Sequence, residues 1–228
     1  MTPTSPSRTT RFSDELRAAC AAEWRAAHED HPFVRAMGDG TLSLERFQFF
    51  MQQDYLFLID YCRVLGWAVA KSPRLEEMGK WAKLLDETLN SEMALHRSFC
   101  ADFGISAGEL ESTVPAPATV AYVRHLIRTA KGGQIGVIAS SLLPCQWGYD
   151  EIGRTLSASL RVLRGSFHAR WVEGYCSPEY RAVTEWLRGY VDQIGASGTP
   201  EVRRRMEGVF RESVAHEKAF WDQAWRAG

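Results

Sequence analysis

The chain has 228 residues, 45% hydrophobic and 24% charged, with a net charge of -1; these are ordinary values for one globular domain long enough to bury a sizeable core. The near-zero charge and the lack of a helix-turn-helix pattern argue against a nucleic-acid partner. No run of 18 apolar residues occurs and residues 1–7 hold no apolar signal core, so neither a membrane span nor a secretory leader is expected.

Residues 1–11 are rich in Pro, Ser and Thr and read as a flexible tail ahead of one all-helical domain over 12–228. Ser13 is positioned to cap a first helix reaching about residue 30, which His31-Pro32 ends, and Gly38-Asp39-Gly40 reads as a turn. Ser43 caps a second helix through about residue 70. Ser72-Pro73 opens a third that runs, with a break, to Phe103, where Gly104 stops it. Ser106 to Glu109 has the spacing of a capping box. Val114 to Pro117 reads as a linker before a helix over 118–130. A small, apolar helix carrying Leu142-Leu143-Pro144-Cys145 then runs to about residue 160. Residues 161–166 connect it to helices over 167–175, 178–194 and 200–226. Nothing alternates with period two. The fold class expected is all-α, a single-domain helical bundle with its site between helices.

Cys20, Cys62, Cys100, Cys145 and Cys176 are odd in number and widely spaced, with no CxxC, which points to a reducing, cytoplasmic setting. Cys145 follows a proline that removes a helical hydrogen bond and bends the axis, and Tyr149 lies one turn further on the same face. By itself Cys145 reads either as an inert core thiol or as a nucleophile. Two acids on apolar faces bear on that choice. Asp54 sits among Phe50, Met51, Phe57, Leu58 and Tyr61, and Glu217 among Phe210, Val214, Phe220 and Trp221. An acid so placed is paired, neutral, or facing a ligand. A thiol and two acids amid 11% aromatic residues suit a flat, electron-poor, nitrogen-containing ring. Two other readings stay open. Glu92, His96, His216 and Glu217 could form a di-iron site of the kind helical carboxylate/histidine oxidases use, or the pocket could bind such a ring without turnover. His28, His31, His125 and His168 show no metal spacing.

At these residues the chain resembles the TenA family, thiaminase II, with its haem-oxygenase-like all-helical fold. The likeness runs from His31-Pro32-Phe33 and Gly38 to Leu42, through Gln53-Asp54-Tyr55, Leu142 to Cys145 and Tyr149 to Gly153, to Trp171, Tyr175, Glu217 and Phe220-Trp221. The resemblance implies that Cys145 and Glu217 are catalytic, that Asp54 anchors a pyrimidine, that Tyr122 and Phe220 stack on it, and that Tyr149 and Tyr175 support the site. Phe57 stands where many members carry a tyrosine, so a hydroxyl near the cysteine is expected to be missing. It further implies hydrolysis of 4-amino-2-methylpyrimidines, the 5-methylene substituent of an aminopyrimidine or of thiamin being replaced by hydroxyl. It implies no metal and no cofactor, and a homo-oligomer, a tetramer.

Overall fold

The structure is a computed structural model that describes residues 10–158 and 165–227. Residues 1–9 of the expected tail, and 161–164 of the expected connection, lie outside the described residues. Everything regular within them is helical, as expected, and no strand occurs among the described residues.

The chain order is α1 (Phe12–Ala19), α2 (Ala21–His28), α3 (Pro32–Asp39), α4 (Leu44–Lys71), α5 (Leu75–Glu87), a π-helical turn (Thr88–Glu92), α6 (Met93–Asp102), α7 (Ala107–Glu111), α8 (Pro117–Gly132), α9 (Ile135–Ser157), α10 (Phe167–Tyr175), α11 (Pro178–Ser197) and α12 (Pro200–Trp225). The capping signals hold where they are local. Ser43 accepts from the Arg46 amide, and Ser106 and Glu109 form the reciprocal capping box. Gly104 takes the left-handed conformation, φ 78°, beyond the end of α6.

Three expectations at the N-terminal side are corrected. The first helix is two, because Cys20 leaves helical geometry at φ -133° and ψ 39°. Ser13 is not its cap: the Ser13 amide donates to Asp192 Oδ1 at 2.7 Å, so a carboxylate from α11 satisfies the first turn. His31-Pro32 starts a helix as well as ending one, since His31 Nδ1 accepts from the Phe33 amide and Pro32 opens α3. Ser72 likewise finishes α4, its hydroxyl donating to the Ala68 carbonyl, and α5 begins at Leu75.

The bundle is organised around α9. Nearly every residue from Gly136 to Gly153 is buried, the pattern of a helix wrapped on all sides rather than lying on a surface. Helices α8, α10, α11 and α12 pack against it, and α4 packs on α5, α6 and α8. Pro144 lies inside α9, which continues helical past it to Ser157. Aromatic rings fill the seam between α4, α9, α10 and α12: Trp221 stacks on Phe33 and Phe50 at 5.1 Å and meets Tyr149 at 5.4 Å.

Candidate active site

Helices α4, α8, α9, α10 and α12 carry all eight residues singled out from the sequence, and the fold brings them together. Asp54 and Glu217 are 4% and 3% exposed. Both act on the Cys145 thiol, which burial pushes well up and the carboxyl groups of Glu217, Asp54 and Glu92 push further. Cys145 is nevertheless partly accessible, amid neighbours on α9 that are buried. The Tyr149 phenol faces Asp54, Glu217 and Cys145. Tyr175 packs edge-on against Tyr149 at 4.9 Å and donates to Glu92 Oε1 at 3.3 Å. Tyr122, Phe57 and Phe220 form one aromatic wall, with Phe57 4.8 Å from Tyr122 and 5.7 Å from Phe220.

Glu217 is built to hold a proton. Burial raises its carboxyl to about 8, against a bond from the Tyr122 hydroxyl to Oε1 at 2.5 Å that favours the anion; Asp54 raises it further. His28 Nε2 stands 3.9 Å from the other oxygen. That ring is neutral at physiological pH because burial lowers it to about 3. Its approach depends on Gly148, where a Cβ would fall 2.3 Å from the His28 ring.

Asp54 is paired with a partner the sequence had placed elsewhere. His96 Nε2 lies 2.7 Å from Asp54 Oδ2, while His96 Nδ1 lies 2.9 Å from the Glu92 carbonyl. A carbonyl only accepts, so Nδ1 carries a proton. Burial opposes charge on the ring, and the bond to Asp54 outweighs it and raises His96. The His96 ring thus holds Asp54 from behind. The π-helical turn just before α6 inserts an extra residue per turn at Glu92, a device common at functional sites. The Glu92 side chain is half-buried, and burial raises it to about 7.

The di-iron reading is corrected by these contacts. His96 has both ring nitrogens engaged, and His216 lies on the far side of Tyr122, stacked on its ring at 5.3 Å and 12°. His125, which showed no metal spacing, is in turn the residue His216 and Glu212 approach. Phe57 has a phenol one turn away on the same helix. Tyr61, one turn along α4 at 5.7 Å ring separation, is buried and is raised by burial first and then by Cys145. Tyr61, His28 and His96 complete the site. Tyr61 was visible seven positions after Asp54 on the same stripe; His28 had no local signal.

A cleft of about 320 Å³ opens beside the thiol region, lined by Glu87, Glu92, Glu179, Tyr175 and Tyr180 among others and by no lysine or arginine. Glu92 and Tyr175 face both this cleft and Asp54, so their hydrogen bond stands between the cleft and the Cys145 centre.

Comparison with known proteins identifies the family and the fold. Residues 17–227 match the profile of the TENA/THI-4/PQQC family. A protein of Halalkalibacterium halodurans named aminopyrimidine aminohydrolase is 38% identical over 214 residues, which is 94% of this chain and 95% of that one. A TenA homologue from P. horikoshii superposes with a TM-score of 0.88 at 28% identity, covering 96% of this chain and all of that one. A Shewanella denitrificans domain described as having a haem oxygenase-like fold superposes at 0.76 with 15% identity, over 96% of this chain and 94% of that one, which speaks to the fold alone.

Proposed function

The chain belongs to the TENA/THI-4/PQQC family, and from that premise we propose that it is an aminopyrimidine aminohydrolase of the thiaminase II type. Its reaction replaces the amine or thiazole on the 5-methylene of a 4-amino-2-methylpyrimidine by hydroxyl, as in thiamin salvage. The observation that carries this reading is a partly accessible thiol set against a carboxyl raised to about 8, with a histidine-backed aspartate across an aromatic wall.

The chemistry follows from those groups. The ring lies against Tyr122, Phe57 and Phe220, and Asp54, held by His96, accepts from its amino group. Glu217, protonated at neutral pH, gives its proton to a ring nitrogen. The emptied carboxylate takes the proton of the Cys145 thiol as sulfur bonds to the adjacent ring carbon, so the buried site changes little in net charge. Electrons returning from the ring break the methylene bond to the leaving group, which departs as ammonia from the ammonium form of the substituent or as the neutral thiazole. Water adds to the exocyclic methylene and gives up one proton to the departed base or to solvent; the S–C bond breaks as Glu217 returns the thiol proton to sulfur and takes back the proton on the ring nitrogen. The leaving group exits by the cleft lined by Glu87, Glu92 and Glu179, whose carboxyl groups suit a cationic or amine fragment. Tyr61, Tyr149 and Tyr175 supply phenols around the sulfur.

The catalytic unit is the single domain over 12–228, acting in the cytoplasm as a homo-oligomer, a tetramer. No helix of the described residues is long and apolar enough to cross a membrane. Trp67 at 39% and Leu75 at 84% exposure offer apolar surface for copies to cover.

The test is turnover of 4-amino-5-aminomethyl-2-methylpyrimidine and of thiamin by wild type and Cys145→Ala. The variant keeps its helical CD spectrum and loses turnover. A Cys145→Ala protein that still turns over most of the substrate refutes the covalent route, and a wild type that binds without turnover makes the protein a pyrimidine-binding module.

A further inference from the structure

Outside the Cys145 site, α8 and α12 bring three ligating side chains to one spot. His125 comes from α8; Glu212 and His216 are one turn apart on α12 and share a face. Their ligand atoms all lie within 4.8 Å of one another. The rings of His125 and His216 are 5.1 Å apart.

The hydrogen bonds around His125 fix its tautomer. Ser213 Oγ has one hydrogen and donates it to the Ser141 carbonyl at 2.8 Å. Towards His125 Nε2, 2.9 Å away, Ser213 can therefore only accept, and the proton sits on Nε2. This leaves Nδ1 with a lone pair. Nδ1 is buried with no aligned hydrogen-bond partner, on a residue 2% exposed, and lies 3.1 Å from Glu212 Oε1.

We propose that His125 Nδ1, Glu212 and His216 bind a divalent transition-metal ion, Zn²⁺ by preference. Two imidazoles and one carboxylate suit zinc, nickel or copper better than magnesium or calcium. Tetrahedral coordination at ~2.0–2.1 Å separates ligand atoms by roughly 3.4 Å, close to the spacing already present between Nδ1 and Oε1. The Nε2–H bond to Ser213 is the outer-shell contact that orients a ligating histidine. Glu212 is exposed and His216 half-buried, so the ion enters from solvent and water completes its shell. Arg128 Nη2 now donates to Glu212 Oε1 at 2.7 Å; its exposed side chain moves to the other oxygen when the ion binds. Because His216 stacks on Tyr122 and precedes Glu217, an ion here braces the wall behind the Tyr122–Glu217 bond from outside the pocket.

Titration of the metal-stripped protein with Zn²⁺ in a calorimeter, and with Co²⁺ by visible absorption, tests this. One ion binds per chain, and Zn²⁺ raises Tm. His216→Ala and Glu212→Ala, at accessible positions that leave the helical CD unchanged, each weaken binding by more than the ~10-fold that loss of an outer-shell partner costs. Cys145→Ala binds as wild type does. No stoichiometric binding by wild type overturns the proposal, as does binding that survives His216→Ala and Glu212→Ala or disappears in Cys145→Ala.

Discussion

Glu217→Gln separates stability from chemistry in one residue. The carboxyl is held at about 8 in the folded chain against an ordinary 4.5. A group raised by folding contributes its full share of stability below the unfolded value and loses it as pH rises through the folded one. At pH 7 the unfolded chain gains from ionising Glu217 over about two and a half units, which at ~1.36 kcal/mol each is ~3 kcal/mol subtracted from wild-type stability. Glutamine keeps the carbonyl that accepts from Tyr122 and cannot ionise. Relative to wild type, the variant therefore gains ~3 kcal/mol between pH 4.5 and 7 and more towards pH 8, roughly 6–12 °C in Tm for a chain of this size. Its turnover falls by ~10²–10⁴-fold, the usual span of a lost general acid. Urea unfolding of both proteins at pH 5, 7 and 8, read as the difference between them, cancels every other titrating group they share. A difference that stays flat across that range refutes the buried, protonated Glu217, and with it the donor assigned to the ring nitrogen.

His96→Ala removes the partner behind Asp54 and leaves a buried acid unpaired, costing ~3–5 kcal/mol of stability. KM for the aminopyrimidine rises more than kcat falls, and steady-state kinetics with an unchanged KM would show that His96 does not position Asp54. Gly148→Ala places a methyl group 2.3 Å from the His28 ring; overpacking of this kind costs ~1–3 kcal/mol, and a Tm equal to wild type would mean that His28 yields freely. Phe57→Tyr adds a hydroxyl to the aromatic wall between Tyr122 and Phe220. One further hydrogen bond of ~0.5–1.5 kcal/mol raises kcat/KM by about 2–10-fold and alters the ratio between thiamin and the aminomethyl substrate; an unmoved ratio means that Tyr61 already serves the leaving group. The basic limb of the pH–rate profile of wild type falls near 8, where Glu217 loses its proton, and is absent in Glu217→Gln.

Much of this protein is local in origin. Caps such as Ser43 and the Ser106–Glu109 box act within four residues, so their helices are readable from the chain alone. The same holds for the unbroken apolar character of α9, which requires burial wherever the helix lies, and for Asp54 and Glu217, whose misfit on apolar stripes marks them before any fold is known. Tertiary structure decided the pairings. Ser13 loses its capping role because Asp192, 179 positions away, reaches the first turn. His96 reads locally as the i+4 partner of Glu92, yet the Glu92 side chain pairs with Tyr175 and the His96 ring with Asp54, 42 positions away. His125 carries no spacing signal at all, since its neighbours Glu212 and His216 lie on another helix. Helical periodicity says which face of an element is buried; it carries no information about which buried polar group on a second element will stand opposite. That choice is made by helix packing, and here it sets the partner of His96, the proton on Glu217 and the tautomer of His125.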